Sequence, residues 1–202
     1  MAGTIDEIHV DYNNGKFENQ YVIRANDGNL YHVYFKNPVY DVSGKNIELT
    51  GKLFHEDIVP LTYSFSSPVD IEELSTLGEQ RLLVLLANSQ DNPAEPLSVE
   101  DAHTIVFDDD TGISVNNYFE EVSYGKVFFS GDVQGWYTLP YDQNNLCDLT
   151  FLFDKIVPIV DGDINFLNYD RLMIVLPEIE SCSYYSGLAF VGPQTIETNE
   201  GM

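Results

Sequence analysis

Positive charge is the first thing this sequence lacks. Among its 202 residues, 9 Lys and Arg stand against 33 Asp and Glu, for a formal net charge of −24. A surface of that sign repels a phosphate backbone, which excludes binding nucleic acid through a basic patch. It equally disfavours anionic lipid headgroups. No apolar run approaches the ~18 residues that a membrane-spanning helix requires; the longest are five or six residues, at 82–87 and 172–176. The opening residues, MAGTID, hold neither a basic stretch nor an apolar one, so no secretory leader is expected within the chain. Cysteine is scarce too. Cys147 and Cys182 are the only two, and by themselves they fit equally a bridge or two unrelated buried thiols.

Several chemical motifs are also missing. His9, His32, His55 and His103 are the only histidines. His55-Glu56 is followed four residues after the His by Val59, where helical spacing would need a second imidazole to reach one ion. There is no G-x-S-x-G, because Tyr184 stands where Ser186-Gly187 would need its leading Gly. Gly131 and Gly135 are followed by no phosphate-binding Lys. Asp161, Asp163 and Asn165 place oxygens at alternate positions, as a calcium loop does, and make a candidate calcium set. Phe166 and Leu172, however, hold the places where an EF-hand needs Gly and Glu. Asp108-Asp109-Asp110 reads as a solvated run, and Trp136, Tyr137 and Tyr141 as core residues in preference to a sugar platform.

What is present divides into two patterns. Over residues 1–66 apolar residues alternate with polar ones, as in Ile8, Val10 and Tyr12. Asn13-Asn14-Gly15 and Asn26-Asp27-Gly28 interrupt the alternation, and such sequences favour hairpins because Asn and Gly tolerate positive φ. Four or five short strands are expected there, closing into a small barrel or sandwich. Residues 67–79, with Pro68, Asp70, Glu72, Glu73 and Gly78, read as a linker. From residue 80 to 202 the pattern turns to buried strands alternating with helices. Residues 82–87 are continuously apolar, as suits a strand covered on both faces. Ser98 precedes an acid by three residues, a helix start running to about Phe107. Val115, Tyr118, Phe119 and Val122 lie on one helical face. Residues 127–139 read as two strands around Gly131 and Gly135. A further helix spans the 149–160 region, with Pro158 expected to kink or end it. The fold class expected is α+β: a small all-β N-terminal module followed by a mixed α/β half.

One resemblance goes beyond patterning. Residues 114–126 (SVNNYFEEVSYGK) and 131–140 (GDVQGWYTLP), with 83–91 (LVLLANSQD), 166–177 (FLNYDRLMIVLP) and 186–192 (SGLAFVG), match in order. They resemble the region upstream of the zinc helix in secreted metallopeptidases of the gametolysin and immune-inhibitor-A type. The resemblance covers most of residues 80–192. It implies a zincin-like upper subdomain, a secreted or extracellular location, and a protein or peptide substrate. It implies a disulfide between Cys147 and Cys182. It also implies that Ser186, Gly187, Leu188, Ala189, Phe190 and Val191 form a sheet-edge strand along which an extended substrate pairs. The family continues into a helix bearing HExxH, which this sequence does not contain. Zinc therefore belongs to the intact protein by resemblance. No metal ligand and no catalytic residue of this chain can be assigned, and the chain as given is expected to be inactive. The alternative reading is a non-catalytic secreted binding or adhesive module, calcium-stabilised or not.

Overall fold

The computed structural model describes residues 1–67, 75–108, 112–192, 194, 196 and 198. They form a mixed α+β protein that divides into two compact units: Met1–Glu73 with Ser183–Thr195, and Leu74–Cys182 with Ile196–Met202. The expected linker at 67–79 lies largely outside the described residues, and Gly78 already begins a strand.

In the first unit β1 (Ala2–Tyr12), β2 (Phe17–Ala25), β3 (Leu30–Val33), β4 (Lys45–Phe54) and β5 (Asp57–Ser66) close a circuit β1-β2-β3-β5-β4-β1. Only β3 and β5 run parallel within it. The circuit makes a five-stranded, barrel-like sheet. The two Asn/Gly sequences make the turns expected of them. Gly15 and Gly28 have φ of 77° and 85°, and Tyr12 N donates to Lys16 O at 2.9 Å to close the first hairpin. Ile5, Ile23, Ile47 and Ile58 fill the barrel.

A sixth strand, β9 (Tyr185–Val191), joins this sheet. The resemblance had put it in the second half; it pairs antiparallel with β1, from Glu7↔Val191 to Tyr12↔Tyr185. The reason is backbone demand. β1 is longer than the barrel needs, and β4 pairs only with Ala2 to Ile5 on that side. The rest of that edge would carry open N–H and C=O groups, and β9 satisfies them.

The second unit holds β6 (Gly78–Ser89), β7 (Val127–Leu139) and β8 (Arg171–Val175), parallel and in the order β7-β6-β8. Helices α1 (Val99–Phe107) and α2 (Val115–Val122) lie between β6 and β7 in the chain, and α3 (Leu149–Val160) between β7 and β8. The first crossover moves one way along the sheet and the second moves back. Right-handed crossovers in opposite directions put their helices on opposite faces. The core agrees: Leu82, Val84 and Leu86 pack with Ala102 and Val106 of α1, while Leu83 and Leu85 pack with Leu152 and Ile156 of α3. Burial of each such side chain is worth roughly 1.5–3 kcal/mol, so β6 is the centre of this unit.

Helix starts follow the sequence signals. Ser98 caps α1 by accepting from Asp101 N at 3.0 Å, and Ser114 caps α2 with Asn117 answering in a capping box. Pro158 lies near the end of α3, which stops two residues later at Val160. Two details differ from expectation. β7 is one strand of 13 residues, not two. On α2 the apolar face is largely open, with Tyr118 61% and Val122 51% exposed, while Asn116 is buried. Asn116 Oδ1 accepts from Phe129 N at 2.6 Å, so a backbone group of β7 sets which side of the helix packs.

Candidate functional site

The sequence-derived site residues fall in three places. Asp161 is the C-cap of α3. Asp163 follows in the turn, and Asn165 Oδ1 accepts from Leu167 N at 3.0 Å, capping a short 3₁₀ turn. That oxygen serves the chain's own backbone. Among the described residues no group of three His, Cys, Asp or Glu side chains is placed to hold a metal. Of the other acidic run, Asp108 is the C-cap of α1, and Asp109 and Asp110 lie outside the described residues. The histidines are scattered over β1, β3, the β4–β5 turn and α1. Trp136 packs among the α1-side core residues and donates from Nε1 to Leu97 O at 2.9 Å. Tyr137 and Tyr141 pack on the α3 side. The aromatic stripe is core on two faces of one sheet.

Cys147 and Cys182 are brought together as a disulfide, with Cα atoms 5.8 Å apart. It ties the 3₁₀ turn before α3 to the turn after β8, against the α3-side core.

The YDR triplet of the resemblance has a structural role that the sequence did not disclose. Tyr169 Oη donates to Asp132 Oδ2 of β7 at 2.7 Å. Asp170 takes Arg81 of β6 through both carboxylate oxygens, at 3.1 and 2.8 Å, and also accepts from Arg81 N. Arg171 donates to Gln80 Oε1 at 2.8 Å. Tyr169 reaches past β6 to β7, and Asp170 and Arg171 tie the start of β8 to β6. The Arg81 guanidinium holds the Asp170 carboxyl below the usual range.

Burial, reinforced by the bond to Asp132, pushes the Tyr169 phenol up to about 12. A raised acid in the fold means that the neutral phenol is the stabilising form. Its contribution is complete below the unfolded value of about 10 and is lost as pH climbs through the folded value. Tyr21 and Tyr137 are raised as well, chiefly by burial, so stability should fall between about pH 10 and 12. Tyr169→Phe should cost roughly 1 kcal/mol at pH 7 and make that alkaline fall shallower. Urea midpoints measured at a series of pH values test both; an unchanged alkaline slope in the variant would refute the assignment.

No protein-family model matches this chain, and no curated protein matches it.

The remaining candidate is β9. It is the last strand in the order of the six-stranded sheet and pairs along one edge with β1. Asn13 anchors its start, donating from N to Tyr184 O at 3.1 Å and from Nδ2 to Ser183 O at 3.0 Å. Ser186, Gly187 and Ala189 are exposed, as is Val191, while Leu188 and Phe190 are half-buried. What this arrangement can do chemically is pair with an extended backbone while offering little side-chain bulk.

Proposed function

We propose that this chain is a portion of a secreted zinc endopeptidase of the gametolysin and immune-inhibitor-A type. It would comprise a β-barrel module and the upper subdomain that precedes the metal helix. The observation that carries the reading is the Cys147–Cys182 bridge, since the resemblance singled out this pairing where spacing alone left it open. The parallel sheet covered by helices on both faces, built from the matching stretches, is compatible with it. An oxidising compartment follows from the bridge in turn.

The described residues do not fit a zinc site, for want of three suitable ligands. No step of the hydrolysis is therefore derived from this chain. Its own contribution would be to hold an extended polypeptide by strand addition along β9.

The test has two parts. The encoding reading frame is expected to continue into an HExxH sequence within about 20 codons. The present chain with added zinc is expected to leave casein intact, whereas the chain extended through that helix cleaves it. Cleavage by the present chain alone, or a stop codon directly after Met202, overturns the reading. The stop codon would favour the non-catalytic binding module.

A further inference from the structure

Helix α2 turns its apolar side outward. Tyr118 and Val122 stand one turn apart and form a ridge along it. Phe119, 40% exposed, lies beside Tyr118, with their ring centroids 5.5 Å apart. Ile113 before the helix and Tyr124 after it are 89% and 91% exposed. The side turned inward is polar. Asn116 is buried and accepts from Phe129 N of β7, and buried Ser114 caps the helix with Asn117. Phe119 also rests edge-on against Phe129, with ring centroids 5.0 Å apart. At the other end Gly125 N donates to Glu120 O at 2.8 Å, and Gly125, at a φ of 71°, stops the helix.

A helix of this kind ordinarily buries its apolar stripe. Here hydrogen bonds and one aromatic contact fix the rotation the other way, so the fold itself holds the ridge in solvent. Large apolar side chains gathered in the open mark a surface for interaction.

Charge decides the kind of partner. From Leu82 to Gly125, a stretch that includes both α1 and α2, there are nine acids and no lysine or arginine. Glu120 and Glu121 belong to α2 itself, between Phe119 and Val122. Glu100 and Asp101 lie in the first turn of α1, which shares a core with α2. A second copy of this chain would bring acids against acids, and like charges at a contact oppose it. A partner with cations around an apolar strip satisfies both features.

We propose that the outer face of α2 docks a basic amphipathic helix of another protein. Its apolar ridge lies against Tyr118, Phe119 and Val122, and its flanking lysines or arginines meet Glu120 and Glu121. A helix suits the site because the spacing of Tyr118 and Val122 matches the i, i+4 rows by which helices pack. The eight residues of α2 offer about two turns to pack on. The acidic stretch also draws a cationic partner from a distance. The proposal is independent of the peptidase reading, since it involves neither β9 nor a metal helix.

The test uses the whole chain at physiological salt, where long-range attraction is screened. The probe is a labelled leucine/lysine peptide of about four turns with its leucines on one helical face, followed by fluorescence anisotropy. It is compared with a scrambled peptide of the same composition that has no such face, and with the same pattern carrying glutamate for lysine. The patterned basic peptide should bind about tenfold tighter than the scrambled one, and the glutamate peptide should not bind. Tyr118→Gln with Val122→Gln should weaken binding about tenfold. Glu120→Gln with Glu121→Gln should weaken it about fivefold. All four positions are exposed, so the fold should survive, and circular dichroism verifies this. Val59→Gln with Leu61→Gln, at exposed apolar positions of β5, should change affinity less than about twofold.

Several results overturn the proposal. Equal binding of the patterned and scrambled peptides, or no binding of either, is one. A loss in the β5 variant as large as in the Tyr118/Val122 variant is another, and would mean general adhesion. No effect of either α2 pair is a third. If sedimentation shows that the chain alone is a dimer and that Tyr118→Gln with Val122→Gln makes it a monomer, the face joins two copies and the proposal falls as well.

Discussion

Replacing Cys147 and Cys182 together by serine should lower the stability of the second unit by about 4 kcal/mol. The bridge closes a loop of 35 residues in sequence separation. In the chain-entropy account, opening it returns that much freedom to the unfolded ensemble. The loop contains α3 and β8, so the folded side of the balance also loses a tie across the α3-side core. A domain holds only 5–15 kcal/mol in total, and a loss of this size moves the urea midpoint far. The chain has one tryptophan, Trp136, and it packs in the second unit. Its fluorescence reports on that unit without assuming that both units unfold together. Reduction of the wild-type protein should reproduce the shift. A midpoint unchanged by either treatment would mean that the bridge does not constrain this unit, and would remove the observation on which the peptidase reading depends.

Gly131→Ala should be comparably damaging, at about 3 kcal/mol or more. Gly131 has a φ of 149°, where an L side chain is strained. A Cβ there would be driven into the Leu82 carbonyl of the adjoining strand. Leu82 is opposite Gly131 in the register, and both flank the buried run of β6, so neither backbone can yield without disturbing the sheet's centre. Gly187→Ala is the control: a Cβ there meets no atom nearby, and stability should change by less than about 0.5 kcal/mol. Equal midpoints for Gly131→Ala and wild type would show that the close approach of β6 and β7 is not required.

Local signals carried much of the architecture. Two Asn/Gly turns marked the hairpins, a six-residue apolar run marked the central strand, and Ser98 marked a helix start. All of these depend on neighbours within a few residues, through φ preference, period and capping, so a one-dimensional reading reaches them. Gly131 was legible as special but not for the right reason. It suggested a break between two strands, whereas the structure uses the missing Cβ to bring β7 against Leu82. The helical spacing of Tyr118, Phe119 and Val122 identified a face but not its fate, which was set by Asn116 bonding to a backbone N–H in β7.

The site residues divide the same way. Cys147 and Cys182 were identifiable as a pair only through resemblance. The outer face of α2 carried half a signal, because nothing in a helix's own sequence says that its Asn is buried and its Tyr left in solvent. That face exists only once Asn116 has met β7.

The sequence by itself determined that the protein is strongly acidic, that a β module precedes a mixed half, and where most strands and helices lie. Tertiary structure alone decided that the last strand leaves the second half for the barrel. It also decided that the YDR residues are ties between strands and that the apolar side of α2 stays in solvent. These depend on pairing between residues far apart in the chain. Strand partners are chosen by which backbone edges remain open once the rest of the sheet has formed, and that demand is a property of the assembled sheet, not of any one segment.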